Sequence, residues 1–239
     1  MFEVQGIDFK SKDDFKTTPA MDLGIIPNHP FSMVFQAKSG SGKTQSLLEM
    51  LHKPIMLGGY FDEIYLFSES PDPQLKHVGA TARNTYTDAK QWEDQLTRIF
   101  DKQEKKIKRG GKKTSAPYIL FVFEDIINNK RFMHGSGNLI RAFTSGRHYN
   151  SSVMVTSQDW TALAPKCRSN AHSIYFWKGI KSEHEKLCDQ FCPPHMTKRE
   201  FLSLIYHCTK GKYSFMTINT KQNIQDGKFR RGFTNIIEV

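Results

Sequence analysis

The chain has 239 residues, 38% of them hydrophobic and 12% aromatic with 18 phenylalanines, and its apolar residues fall in short runs, which excludes a chain disordered throughout. No apolar stretch nears the roughly 20 residues that a bilayer-spanning helix needs. Lysine and arginine outnumber aspartate and glutamate by 34 to 24, a formal charge of +10, so a polyanion is the expected partner: nucleic acid first, an anionic membrane second.

This length fits a single α/β domain with a short C-terminal extension. The opening Met1-Phe2-Glu3-Val4 lacks the basic and apolar regions of a signal peptide, so cytosol or nucleoplasm is the expected compartment. Residues 1–30 are polar and punctuated by Pro19, Pro27 and Pro30, and they read as an arm or a strand lying on the outside of the domain.

The most informative segment comes next. An apolar run over 31–35 leads into Ala37-Lys38-Ser39-Gly40-Ser41-Gly42-Lys43-Thr44, and 45–51 favours helix. Strand, glycine loop and helix in that order form a cradle for a nucleoside triphosphate. Gly40 and Gly42 let main-chain N–H groups turn toward phosphate oxygens, Lys43 brings a charge to the outer phosphates, and Thr44 offers a hydroxyl to Mg2+. Ser39, Gly40, Ser41, Gly42, Lys43, Thr44 and Gln45 are therefore the nucleotide-binding candidates, with ATP and Mg2+ as ligands. The motif departs from its strict form only at Ala37, where glycine is usual.

Gly58-Gly59 marks a break, and 62–68 reads as a buried strand ended by Pro71 and Pro73. From Asp88, Trp92, Leu96, Ile99 and Phe100 follow a helical spacing that runs into the densest basic stretch, 102–113. That stretch is either a phosphate contact or a solvated helix end. The apolar run 118–123 is the kind buried on both faces of a parallel sheet, and it delivers Glu124 and Asp125 at its carboxyl end. Ligands gather at that edge of open α/β sheets, so Thr44, Glu124 and Asp125 are the candidate magnesium set.

Leu139, Ile140 and Phe143 predict a helix ending before Ser145-Gly146-Arg147-His148. A strand over 152–156 ends on Ser157-Gln158, whose amide would orient water at the same edge. A loop with Pro165, Arg168 and Asn170 precedes a strand over 172–177, then helices over 182–191 and 197–207 and β segments over 213–219 and 229–237. There is no internal repeat or low-complexity tract. Cys167, Cys188, Cys192 and Cys208 fit free thiols in a reducing compartment; a zinc site from Cys188, Cys192, His195 and either His207 or Cys208 is the weaker reading, given the loose spacing.

A strand between the phosphate loop and the acidic strand, then a further strand bearing a polar sensor, matches the P-loop NTPases that insert an additional strand into the centre of a mainly parallel, RecA-like sheet flanked by helices. The linked set Gly146-Arg147-His148, Ser157-Gln158, Pro165 and Arg168-Ser169-Asn170 resembles the DNA-packaging ATPases of nucleocytoplasmic large DNA viruses and their virophage and polinton-like relatives, a branch of the FtsK/HerA superfamily. The likeness spans about residues 31–190, leaving 191–239 as a C-terminal helix and β extension of the same domain.

The resemblance implies a ring, pentameric or hexameric, that hydrolyses ATP between subunits and drives double-stranded DNA into a capsid. It makes Lys43 and Thr44 the nucleotide and magnesium ligands, and Gln158 the polar sensor. A trans-acting arginine is implied as well, with Arg147 the first candidate and Arg168 the second. DNA would be gripped by its phosphates, with 102–113 and 228–231 as the basic stretches to test, and capsid or membrane at the packaging vertex is a further contact. Host cytoplasm, a viral factory, the nucleus or the virion is the implied setting. The family carries Asp at the first acidic position, whereas this chain has Glu124 then Asp125, which leaves open which carboxylate serves the metal and which the water. The alternatives are a helicase or AAA-type remodeller, and a nucleotide-dependent capsid or membrane scaffold that scarcely turns over.

Overall fold

The computed structural model describes residues 15–78, 84–126 and 129–237. Its strands are β1 (Ser32–Gln36), β2 (Glu63–Phe67), β3 (Thr85–Tyr86), β4 (Ile119–Phe123), β5 (Ser151–Ser157), β6 (Ser173–Trp177), β7 (Phe215–Asn219), β8 (Phe229–Arg231) and β9 (Asn235–Ile236). They form one sheet in the order β3-β2-β4-β5-β1-β6-β7-β8-β9. The first six in that order are mutually parallel, and β7, β8 and β9 add antiparallel strands.

The parallel strands β1, β4, β5 and β6 are buried along their whole length, because helices cover both faces, and this is why they read as largely apolar runs. Side chains still alternate. Val34, Phe121, Val153 and Ile174 join one core, while Met33, Phe35, Leu120, Met154 and Tyr175 join the other. Phe121 and Phe123 are fully buried, each worth about 2 kcal/mol relative to exposure.

The helices are α1 (Pro19–Asp22), α2 (Lys43–His52), α3 (Trp92–Gly110), α4 (Lys130–Gly135), α5 (Gly137–Ser145), α6 (Pro165–Ser169), α7 (Lys181–Phe191) and α8 (Lys198–Thr209). Residues of α3, α5, α7 and α8 fill the first core. Leu47, Leu48, Met50 and Leu51 of α2 fill the second. In α3, Trp92, Leu96, Ile99 and Phe100 face inward as their spacing predicts, and Gly111, at φ 70°, ends the helix in the left-handed conformation that glycine adopts freely.

Residues 15–30 are not an outer arm. Thr18 caps α1 with Pro19 at its first position, and Ala20, Met21 and Ile26 are buried beside α2 in the second core. Ala20 N–H donates to Ile55 O at 2.9 Å. Prolines that read as punctuation here start a helix and shape a packed segment; residues 1–14 of the expected arm lie outside the described residues. Three further differences are local. The 229–237 segment breaks into β8 and β9 across a turn at Gly232, whose φ of 67° bends the chain. Residues 165–169 form a helix where a loop is predicted, since Pro165 suits a first helical turn. In the sheet, the strand inserted between β1 and β4 is β5 itself, while β2 lies outside β4.

Candidate functional site

Main-chain hydrogen bonding runs straight from β1 into the loop: Ala37 N–H donates to Ser157 O at 3.0 Å, and Ala37 is buried. Alanine fits there because that residue still belongs to the strand. Gly40 and Gly42 take φ 76° and 92°, conformations that side chains resist, and Gly42 caps α2. The helix begins at Lys43, two residues earlier than the sequence predicts, so Lys43 and Thr44 sit in its first turn where main-chain N–H groups are unpaired within the helix.

Glu124 and Asp125 leave β4 in different directions. Two positions beyond Val122, Glu124 falls on the sheet face covered by α2. It is 4% exposed, and Thr44 Oγ1 donates to its Oε1 at 3.3 Å while Asp72 N–H donates to its Oε2 at 3.1 Å. Burial raises its pKa above the ordinary carboxylate value, and the neighbouring Asp72 and Asp125 charges push the same way, against the lowering effect of the Asp72 N–H and the Thr44 hydroxyl. A buried oxygen cluster whose charged form is disfavoured suits a small, hard dication.

Asp125 takes φ 47°, uncommon for a non-glycine residue, and this turns its exposed carboxylate out of the strand. Its N–H donates to Thr156 Oγ1 at 2.9 Å, and Gln158 Nε2 donates to its Oδ1 at 2.7 Å. Gln158 is fixed by a turn in which Ser157 Oγ donates to Asp159 O at 2.8 Å. Because β5 lies between β1 and β4, Gln158 stands between the phosphate loop and Asp125.

Glu124 and Asp125 open on a cavity of about 860 Å³ that Ser39, Gly40, Gly42, Lys43, Thr44 and Gln45 of the loop also line. Sequence reasoning missed Asp72, Tyr213 and Phe215, which line the same cavity. Pro71 and Pro73 flanking Asp72 signalled only a strand end; nothing local marks Tyr213, which the turn between α8 and β7 brings in.

Both candidate arginines lie away from this cavity's lining. Arg147 is exposed in a short turn before β5, at the opposite edge of the sheet, beside a polar cavity of about 270 Å³ that Asn170, His172 and Lys221 also line. Arg168 is half-buried, donates to Trp160 O at 3.1 Å and packs its guanidinium 5.8 Å from the Trp160 ring centre. The basic stretch 102–113 is partly neutralised, with Lys102 and Lys106 on Glu63 at 3.4 and 3.3 Å. Arg230, in the other basic stretch, is buried and donates to the carbonyls of Gly24, Gly227 and Thr234. It is a structural residue, because burial left its guanidinium with main-chain oxygens to satisfy.

Among the described residues, no group of three or more His, Cys, Asp or Glu is arranged to hold a metal. Cys188 Sγ faces Lys198 O at 3.9 Å and Cys192 Sγ faces Met196 O at 3.5 Å. Among the described residues, no helix is long and apolar enough to cross a membrane.

A glycine-rich phosphate loop at the carboxyl edge of β1, with β5 inserted between it and the acidic β4, defines a P-loop NTPase of the additional-strand division. The chain belongs to the Poxvirus A32 protein family, whose family model matches residues 22–220. It is similar to an uncharacterized protein of Acanthamoeba polyphaga mimivirus, 26% identical over 134 residues that make up 55% of this chain; the chain thus spans about half, 46%, of that curated relative. Among solved structures, it is similar to the genome packaging NTPase B204 from Sulfolobus turreted icosahedral virus 2 in complex with ATP-gammaS, with a TM-score of 0.58, 12% identity, and coverage of 88% of this chain and 100% of that one. The DNA-packaging ATPase B204 from Sulfolobus turreted icosahedral virus gives a TM-score of 0.60 at 9% identity, with 87% and 98% covered. The pCW3 conjugation coupling protein TcpA gives 0.57 at 12%, with 87% and 60% covered. Identities this low speak for the fold, a mostly parallel α/β sheet flanked by helices. The family membership agrees with the resemblance to viral packaging ATPases carried by the motifs.

Proposed function

We propose that this chain is an ATPase that packages double-stranded viral DNA, working as a homo-oligomeric ring with ATP bound between subunits. One observation carries the hydrolytic reading. Two adjacent acids are held for two tasks, Glu124 buried on Thr44 and Asp125 exposed on Gln158.

The loop amides from Ser39 to Gln45 and the Lys43 ammonium bind the phosphates, using the open N-terminus of α2. Thr44 and Glu124 would hold Mg2+, which supplies charge neutralisation for the phosphate oxygens. Asp125 takes a proton from the attacking water while Gln158 aligns that water through the same carboxylate. Water oxygen bonds to the γ-phosphorus, the bond from that phosphorus to the bridging oxygen breaks, and ADP and phosphate leave. This division of labour is the one that the Glu-then-Asp order left open.

Arg147, exposed at the far edge of the sheet, is out of reach of its own site and free to enter a neighbour's. Trans-acting arginines in such motors are worth about 10³–10⁵ in rate. A grip on DNA phosphates would make binding fall steeply with salt and ignore base sequence. Capsid or membrane contact belongs to the same proposal, as does the viral factory or host cytoplasm as its place of work.

Steady-state ATP turnover with and without duplex DNA tests this reading. Stimulation by intact duplex, together with a five- or six-subunit particle by native mass measurement, supports the motor. Strand displacement on forks without duplex translocation would replace it with a helicase, and tight ATP binding without turnover would replace it with a scaffold.

A further inference from the structure

The nucleotide cavity has an aromatic side that phosphate chemistry does not use. Glu124 and Asp125, which line the cavity, and Gln158, bonded to Asp125 at the end of β5, all lie on the β5 and β4 side of the loop strand, so the outer phosphates are drawn there. The nucleoside end must then leave toward the other side of β1, where β6 and β7 follow. There the cavity is walled by Tyr213 and Phe215.

Tyr213 is unusual in three ways. The residue is 57% exposed although it lines a cavity. Its backbone sits at φ 63°, a conformation that costs a non-glycine residue of order 1–3 kcal/mol and that persists only where neighbours impose it. And it rests on the phosphate loop: a Cβ added to Gly42 would lie 3.3 Å from Tyr213 Cδ1. Trp177 Nε1 donates to Tyr213 O at 3.2 Å, and the Trp177 ring packs 4.5 Å from that of Phe215, which fixes the turn between α8 and β7 from beneath. Folding alone gains nothing from an exposed ring on a strained residue.

We propose that Tyr213 is the stacking platform for the purine base of the bound nucleotide. The proposal rests on the reading of this cavity as the ATP site. Stacking on one aromatic face needs no hydrogen-bonding edge, so it favours the larger purines over pyrimidines and adds affinity that the triphosphate alone lacks. The flanking Lys212 Nζ, 5.0 Å from the ring centre, keeps the platform in an electropositive setting.

Calorimetric titration of the full chain with magnesium ATP-gammaS and with magnesium tripolyphosphate tests this. Tyr213→Ala and Tyr213→Gly are expected to lose about tenfold or more in ATP-gammaS affinity while tripolyphosphate affinity holds, and Tyr213→Phe to bind both as the parent does. Glycine adopts φ 63° freely, so Tyr213→Gly should melt no lower than the parent without nucleotide, which separates lost stacking from lost folding. The parent's preference for ATP over UTP should shrink in both truncations. Unchanged ATP-gammaS affinity in Tyr213→Gly overturns the proposal, and if duplex DNA binding weakens instead, the ring is a DNA contact. Equal losses for both ligands also overturn it. Lys43→Ala separates the two levels: loss of both ligands upholds the phosphate site whatever Tyr213 does, and retained ATP-gammaS binding overturns the site reading and this proposal with it.

Discussion

Gln158 and Asp125 are joined side chain to side chain, Nε2 to Oδ1 at 2.7 Å, across the tips of neighbouring parallel strands. The Asp125 N–H is bonded at 2.9 Å to Thr156, two residues before Gln158 on the same strand. One strand tip therefore sets both the backbone and the carboxylate of Asp125. If that carboxylate is the base, Asp125→Asn should cut turnover by about 10²–10⁴ and Gln158→Ala by less, while both retain nucleotide affinity. Steady-state rates paired with calorimetric affinities check this. A Gln158→Ala protein with full turnover would reduce the pair to a surface contact.

Glu124 gives a prediction of opposite sign for stability and activity. Its folded-state pKa is raised by burial, so the stabilisation present in acid is lost as pH rises through that raised value. At neutral pH the nucleotide-free protein carries a buried carboxylate at a cost. Glutamine can offer its oxygen to the Asp72 N–H and its amide to Thr44 Oγ1, which can accept. Glu124→Gln should therefore melt higher than the parent at pH 7.5, each 1 kcal/mol being worth about 2–4 °C in a chain of this size, and the gap should close in acid. Its magnesium-dependent turnover should vanish. Melting curves across pH, with and without magnesium ATP, decide it; a lower melting point at pH 7.5 would mean that Glu124 is well served without a cation.

Much of this was legible in the sequence because the parallel core announces itself. The apolar runs over 31–35, 118–123 and 152–156 fall on β1, β4 and β5, strands with helices on both faces, and a strand buried that way carries an unbroken apolar run. Their carboxyl ends located Lys43, Asp125 and Gln158 together. What was hidden depends on partners far along the chain. Ala20 and Ile26 are core residues only because α2 lies over them. Arg230 looked like a DNA contact until three carbonyls surrounded it. Tyr213 reaches the phosphate loop from the α8–β7 turn about 170 residues downstream, a distance that no local pattern records.

A buried histidine, His29, and a half-buried one, His172, should make the fold acid-sensitive. Asn150 Nδ2 donates to Ala116 O at 2.7 Å, so its Oδ1 accepts from His29 Nε2, and His29 Nδ1 accepts from Ser152. His172 Nδ1 accepts from the Ser32 N–H at 2.9 Å. Both rings are held neutral, with pKa lowered to about 4, by burial in each case and for His172 by Lys221 as well. The tyrosines and phenylalanines packed on His29, Phe15, Phe31, Tyr60, Phe61 and Tyr118, bring no carboxylate to it. A folded pKa below the unfolded 6.5 means stability present above pH 6.5 and lost as pH falls toward 4, on the order of 3 kcal/mol for His29. Urea midpoints from pH 7.5 to 5 should fall accordingly, and His29→Gln should flatten that slope. A slope that the substitution leaves unchanged would assign the acid sensitivity elsewhere.

The two arginines are separable by mixing subunits. Arg168 is occupied by its own Trp160 carbonyl and ring, so Arg168→Ala should lower the melting temperature more than it lowers turnover per folded molecule. Arg147 is exposed at the sheet edge opposite the phosphate loop, and a residue there can act only on a neighbour's nucleotide. Arg147→Ala should thus lose about 10³-fold or more in turnover while keeping ATP affinity. Glu124→Gln should be inactive for a different reason, with its own site disabled but its Arg147 intact. When the two inactive proteins are co-assembled, a fraction of interfaces pairs a sound site on an Arg147→Ala subunit with an arginine from a Glu124→Gln subunit. Turnover should reappear in the mixture, in proportion to that fraction. A mixture as inactive as its parts would remove Arg147 from the trans role, and full activity of Arg147→Ala alone would remove it from the reaction.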